Sequence, residues 1–183
     1  MLNRIISFIL LLLLLPVFLI IFIIIFVEDG TPVFFTQKRV GINYSFFIIY
    51  KFRSMRKNTP NVATHLLENP DQYMLKIGRV LRKLSLDELP NLINIIKGEM
   101  VFVGPRPALY NQDDLMALRV EADVHKLKPG ITGWAQINGR DEISINQKVE
   151  LELEYAKRKS VFFDVHIIFL TFFKVLKVKN ITH

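Results

Sequence analysis

The chain has no cysteine, which excludes a disulfide, a thiolate nucleophile and a cysteine-ligated metal, and leaves the compartment open. Histidine is scarce as well. His65, His125, His166 and His183 are scattered, without metal-ligand spacing, and read as ordinary surface or terminal residues. There is no internal repeat, no P-loop and no dinucleotide-binding glycine pattern. What the 183 residues have in excess is positive charge, formally +7. That balance fits an anionic partner: nucleic acid, phospholipid headgroups or a phosphorylated substrate. The length suffices for one compact domain, or for a smaller domain plus a membrane element.

The one low-complexity tract is the leucine- and isoleucine-rich run over residues 5–27. As a helix rising ~1.5 Å per residue it roughly matches the ~30 Å hydrocarbon core of a bilayer. Its length, and the lack of a small-residue cleavage site behind it, argue against a signal peptide. The lack of a polar face argues against a core helix. Pro16, at the midpoint, removes a hydrogen bond and kinks the axis. A straight span and a helix that enters the membrane and returns both accommodate such a kink. The basic body that follows belongs on the cytoplasmic side by the positive-inside rule.

Glu28-Asp29-Gly30-Thr31-Pro32 is a polar break with turn chemistry. Residues 33–37 and 46–52 read as short β-segments around a turn at Val40-Gly41-Ile42-Asn43. Lys38, Arg39, Lys51, Arg53, Arg56 and Lys57 cluster here. They form either a rim against anionic headgroups or, in part, a binding site for a nucleotide diphosphate. Residues 58–72 read as loop. Residues 73–84 read as an amphipathic helix, with Met74, Ile77, Val80, Leu81 and Leu84 on one stripe. Residues 91–97 continue as helix to a stop at Gly98, and residues 100–103 are extended. Residues 113–127 are helix-like without evident chemistry, and residues 143–159 form a charged, mostly solvated helix. Residues 161–179 align Val165, Ile168, Phe169, Phe172 and Leu176, with Lys174, Lys177 and Lys179 near the end. Such a helix lies at a membrane interface or docks on the core.

Three stretches carry candidate chemistry. In Ser85-Leu86-Asp87-Glu88-Leu89-Pro90, Ser85 and Glu88 form a capping box that opens a helix, or Pro90 moves the helix start nearer Asp87. Either way both carboxylates stand at a helix N-terminus, a place that favours anions and phosphates. Adjacent carboxylates there can divide the labour, one attacking and the other holding a divalent metal. In Gly104-Pro105-Arg106-Pro107 two prolines hold Arg106 with little freedom to lose on binding. Its guanidinium suits a bidentate grip on phosphate, the alternative being a rigid surface turn. Residues 128–140 carry three glycines between basic ends, which admit either a close backbone approach to a ligand or a tight turn.

Taken in order, six marks make the chain resemble the bacterial sugar transferases, the monotopic phosphoglycosyl transferases that begin glycoconjugate assembly on a polyprenol carrier. They are Pro32-Val33-Phe34-Phe35 with Arg39-Val40-Gly41, and Tyr50-Lys51-Phe52-Arg53-Ser54-Met55, followed by Leu86-Asp87-Glu88-Leu89-Pro90. Gly104-Pro105-Arg106-Pro107, Lys128-Pro129-Gly130-Ile131-Thr132-Gly133 and Gln136-Ile137-Asn138-Gly139-Arg140 complete the set. The resemblance runs from the apolar run to about Asp164. It implies an α+β, mainly helical, monotopic membrane protein with interfacial amphipathic helices and a small β-hairpin. Residues 1–27 would be a re-entrant membrane helix broken at Pro16, and residues 28–183 a catalytic domain on the cytoplasmic face of the bacterial inner membrane. With no large domain before the apolar run, the chain would be the minimal catalytic form.

The resemblance also implies a chemistry. A UDP-sugar would bind with Mg²⁺ at Asp87 and Glu88; Asp87 would attack the sugar-bearing phosphate and release UMP. Polyprenyl (undecaprenyl) phosphate would then collect the sugar phosphate as a polyprenyl-diphosphate-sugar. Glu88 would hold the metal, Arg106 would neutralise the transferring phosphate, and Lys51 and Arg53 would be further phosphate contacts. The product would feed O-antigen, capsule, exopolysaccharide or glycoprotein synthesis, with membrane lipids as surroundings and no nucleic acid partner. Two departures stand out: Leu15 where the family often has serine before the proline, and Glu154 before Tyr155 where it commonly has aspartate. The rival reading is a non-catalytic, basic, membrane-anchored adaptor for lipid or nucleic acid, which leaves the acidic pair and the Pro-Arg-Pro unit without a role.

Overall fold

Proline decides how the apolar run folds. In the computed structural model it forms two helices, α1 (Leu2–Leu13) and α2 (Leu15–Asp29), bent by 62° at Leu14. Pro16 lies in the first turn of α2, where a missing N–H costs little, and its ring obstructs continuation of the turn before it. The break expected at Pro16 therefore falls at Leu14, where φ is −90° and ψ is 0°. Among the described residues no single helix is long and apolar enough to cross a membrane; α1 and α2 pass that test of length and composition only as a bent pair.

Residues 1–60, 69–139 and 143–177 are described. The expectations for His65, Arg140, Lys179 and His183, for residues 61–68 of the loop, and for the side chains of Leu176 and Lys177 lie outside them. Next come β1 (Phe34–Val40), a 3₁₀ turn (Ile42–Tyr44) and β2 (Phe46–Phe52), an antiparallel hairpin pairing Phe34 with Phe52 and Val40 with Phe46. The expected helix over residues 73–84 is divided into α3 (Pro70–Tyr73) and α4 (Lys76–Lys83). Met74 leaves the helix to bridge Met55, and the Glu28 carboxylate accepts from the first N–H groups of α4, Lys76 N at 2.6 Å and Ile77 N at 3.3 Å. The remaining elements are α5 (Asn91–Lys97), β3 (Val101–Val103), α6 (Asp113–Glu121), β4 (Gly130–Thr132), α7 (Trp134–Asn138), α8 (Ile145–Arg158) and α9 (Val161–Lys177). β3 and β4 pair in parallel. The fold is mainly helical with one small antiparallel hairpin, as expected.

The apolar run is part of the interior. Leu10, Leu11 and Leu14 pack on Phe47, Ile49, Leu92, Ile95 and Met100. Buried Ser7 donates to the Leu92 carbonyl at 3.0 Å, and Arg4 Nε to that of Ile96 at 2.6 Å, at the C-terminal end of α5. Ile21 and Ile25 of α2 join Val33, Phe52, Leu75 and Leu81 in a second cluster. Val17 and Phe18 pack against it half-buried, while many other side chains of α1 and α2 stay exposed, among them Phe8, Leu12, Leu19, Ile23 and Phe26. Phe34 and Phe46 of the hairpin, and Phe162, Phe169 and Phe172 of α9, are exposed too.

Candidate active site

The acidic pair occupies a 3₁₀ turn, Leu86–Glu88, between α4 and α5. Ser85 caps nothing: its backbone is left-handed (φ 55°, ψ 23°) and its side chain makes no cap bond. A capping box does form, at Ser144 and Gln147 of α8. Pro90 has no N–H to give, so the chain descends by i→i+3 bonds, Leu89 N to Leu86 O (3.2 Å), Leu92 N to Leu89 O (3.0 Å) and Ile93 N to Pro90 O (3.0 Å). The regular helix therefore begins at Asn91 rather than near Asp87.

Glu88 is gripped by two cations. Lys51 Nζ lies 2.6 Å and Arg106 Nη1 3.6 Å from Oε1. Strand parity aims Lys51 there, since residues 47, 49 and 51 share one face of β2 and Phe47 and Ile49 pack inward. Across the hairpin Gln37 pairs with Ile49 and Arg39 with Phe47, so Arg39 shares that face. Arg39, Lys51, Glu88, Asn91 and Arg106 thereby line one open cleft of about 250 Å³. Burial pulls Arg39 down to about 10, helped by neighbouring Arg106 and opposed by Glu88; it keeps its charge at neutral pH. Asp87 is pushed up to about 6, first by burial and then by Glu88, against Lys51 and Arg82. Arg82, which donates to Ser54 Oγ at 2.9 Å, is itself lowered by burial, with Asp87 opposing.

The segment bearing Arg106 is fixed carbonyl by carbonyl. Tyr155 Oη donates to Val103 O (3.0 Å), Gly130 N to Pro105 O (2.9 Å) and Arg119 Nη2 to Arg106 O (2.9 Å). Arg39 Nη1 donates to Pro107 O (3.1 Å) and Val40 N to Ala108 O (3.0 Å). Arg119 is held in turn by Glu152, Nε to Oε2 at 2.8 Å; the two are 5% and 2% exposed. Glycine serves this packing: a Cβ on Gly130 would stand 2.2 Å from Gly104 N, and one on Gly133 2.2 Å from Gly104 O. What these glycines approach closely is this backbone.

Of the five expected polar site residues, Glu88, Lys51 and Arg106 meet in the cleft, and Asp87 stands next to Glu88 outside the cleft lining, feeling the charges of Lys51 and Arg82. Arg53 does not join them. It is 6% exposed, pairs with the Asp29 carboxylate and donates to Asp29 O (3.2 Å) and Gly30 O (2.7 Å), closing the end of α2. It has the same strand parity as Lys51, but β2 ends at Phe52, and beyond that end the Arg53 side chain meets the end of α2 instead of Glu88. Arg119, Glu152 and Asn91 went unnoticed as site residues, and Arg39 was one undistinguished member of the basic cluster around the hairpin; parity with Lys51 is the signal that singles it out. Glu154, the departure before Tyr155, accepts from Trp134 Nε1 at 2.8 Å and pairs with Arg158, contacts that lower its pKa, the Trp134 bond most.

Known proteins resemble this chain over most of its length. The model of the bacterial sugar transferase family matches residues 1–178. The chain is 46% identical over 153 residues to the uncharacterized sugar transferase EpsL of Bacillus subtilis, covering 83% of this chain and 74% of that protein. It is 44% identical over 151 residues to the UDP-glucose:undecaprenyl-phosphate glucose-1-phosphate transferase of Escherichia coli, covering 78% of this chain and 32% of that one. With the undecaprenyl-phosphate galactose phosphotransferase of Salmonella typhimurium it shares 36% over 166 residues, 82% of this chain and 34% of the relative. It thus spans about a third of the length of these last two. The chain belongs to the bacterial sugar transferase family and is an enzyme of that family.

Proposed function

We propose that the protein transfers a sugar 1-phosphate from a UDP-sugar to polyprenyl phosphate, giving a polyprenyl-diphosphate-sugar and UMP. The observation that carries this is the convergence of Lys51 and Arg106 on Glu88 in a cleft also lined by Arg39, with Asp87 beside Glu88 and within the electrostatic reach of Lys51. Donor and acceptor follow from the relatives' names. A basic adaptor is not favoured, because it gives this cleft nothing to do.

The donor's diphosphate lies against Arg106 and Lys51, whose charges oppose the negative charge that gathers at the transferring phosphorus. An Asp87 oxygen attacks the sugar-bearing phosphorus, the bond from that phosphorus to the bridging oxygen breaks, and UMP departs with that oxygen. A phosphate oxygen of the polyprenyl acceptor then attacks the aspartyl-linked phosphorus and the carboxylate leaves, restoring Asp87. Only ionised Asp87 attacks, and with its pKa near 6 it is mostly ionised at neutral pH. Among the described residues no three His, Cys, Asp or Glu side chains form a metal cage. Magnesium needs none, since one or two carboxylates and substrate phosphates suffice. Glu88 and Asp87 would hold Mg²⁺, which supplies charge neutralisation at the phosphates.

The protein would work as a monotopic enzyme on the cytoplasmic face of the inner membrane, residues 1–27 dipping into one leaflet. Supporting this, both ends of the apolar run touch one body: Asn3, Arg4 and Ser7 bond to β3 and α5, while Glu28 and Asp29 bond to α4 and Arg53. The exposed aromatics of the hairpin and α9 would sit at the interface. Detergent-solubilised protein given a panel of UDP-sugars, Mg²⁺ and undecaprenyl phosphate should release UMP, and Asp87→Asn should not. With acceptor withheld, mass analysis should find the phosphosugar on Asp87; product formed while Asp87 stays unmodified refutes the two-step route.

A further inference from the structure

Asn91 is 1% exposed, yet its Oδ1 is buried without a hydrogen-bond partner, and the residue lines the cleft beside Glu88. A buried amide oxygen normally has a donor, so an orphan of this kind marks a group awaiting a ligand. Glu88 and Asn91 are three residues apart on the 3₁₀ descent forced by Pro90, where side chains at that spacing lie on the same side. Of the neighbouring donors, Lys51 is engaged on Glu88 and Arg39 Nη1 and Nη2 on Pro107 O and Gln37 Oε1 (2.6 Å); Arg39 Nε is buried and unpartnered too, and makes no bond to Asn91 Oδ1.

The Glu88 carboxylate, the Asn91 amide oxygen and the phosphate oxygens of a donor diphosphate all accept and none donates. Lys51 and Arg106 already reach the Glu88 carboxylate, but neither bonds Asn91 Oδ1, and a divalent cation standing among these oxygens would satisfy them together. We infer that Asn91 Oδ1 is an oxygen ligand of the divalent cation bound by Glu88, an inference resting on the metal role proposed above. Hard, neutral carbonyl oxygens beside carboxylates are what such cations take.

The test is titration of the full-length, detergent-solubilised protein with Mn²⁺, with and without UDP, following free Mn²⁺ by electron paramagnetic resonance. Asn91→Leu should weaken saturable Mn²⁺ binding roughly tenfold, a loss typical of a perturbed metal site. Asn91→Asp, which adds a charge, should tighten it several-fold. Thermal unfolding of each variant without metal confirms that it is folded. If Glu88→Gln abolishes binding while both Asn91 variants keep the parental affinity, Asn91 is no ligand and the Glu88 role stands. If Asn91→Leu instead raises the donor KM at unchanged Mn²⁺ affinity, the oxygen serves a substrate hydroxyl and the inference is refuted. No saturable Mn²⁺ binding by the parent, with or without UDP, overturns both readings.

Discussion

Replacing Arg119 and Glu152 together separates stability from catalysis. The pair is buried, and Arg119 spends its third contact on the carbonyl of Arg106. Removing one partner strands the other's charge in the interior, which costs about 3–5 kcal/mol. For a chain of this size Arg119→Met or Glu152→Leu alone should lower Tm by roughly 10 °C. Replacing both with apolar residues of similar volume is often neutral or stabilising, so the double variant should melt near the parent. It still lacks the donor to Arg106 O. Arg106 is half-exposed and reaches Glu88 across 3.6 Å, so its aim depends on its backbone. Losing one hydrogen bond of ~1–1.5 kcal/mol from that backbone should lower kcat/KM about tenfold. The assay is UMP release beside a thermal melt. Parental turnover in a double variant that melts like the parent would refute the claim that this pair positions Arg106.

Asp87→Asn should abolish turnover and yet stabilise the fold. A folded-state pKa of about 6 against 3.8 means that ionised Asp87 weighs against folding; the penalty is absent below pH 3.8 and full above 6, on the order of 3 kcal/mol. The variant's Tm advantage should accordingly be plain at pH 8 and vanish toward pH 4. Parental kcat/KM should fall as pH drops through about 6, where the nucleophile protonates. Arg53→Met should lower Tm, leaving Asp29 without its partner, while protein that remains folded keeps its kcat; Lys51→Met should do the reverse. Gly130→Ala should disrupt the Arg106 segment, with loss of both melting temperature and UMP release, because its Cβ has nowhere to go.

What was legible in the sequence was what local chemistry decides. The hairpin, the helix over residues 91–97 and its stop at Gly98 (φ 85°) are short-range matters of alternation and termination. The acidic pair and Arg106 were marked by their company. Arg53 and Lys51 look alike in sequence and share strand parity, and only their long-range contacts, Lys51 with Glu88 and Arg53 with Asp29 and Gly30, tell the wall of the cleft from the end of α2. Arg119 and Glu152 lie 33 residues apart, one on a helix that reads as without chemistry and the other on one that reads as charged and mostly solvated. Nothing within either helix reveals that the two meet. The capping box was misplaced because Ser-x-x-Glu is common, and Pro90 prevents a regular helix from starting at Ser85.

The contacts of Ser7, Leu10 and Leu14 with the body have a practical consequence. Cutting away the greasy leader to obtain a well-behaved soluble fragment would strip one wall from the chamber that holds Phe47, Ile49, Leu92 and Ile95, the residues behind Lys51 and Asn91. The apolar helices and the cleft share their foundations, so neither can be studied by deleting the other.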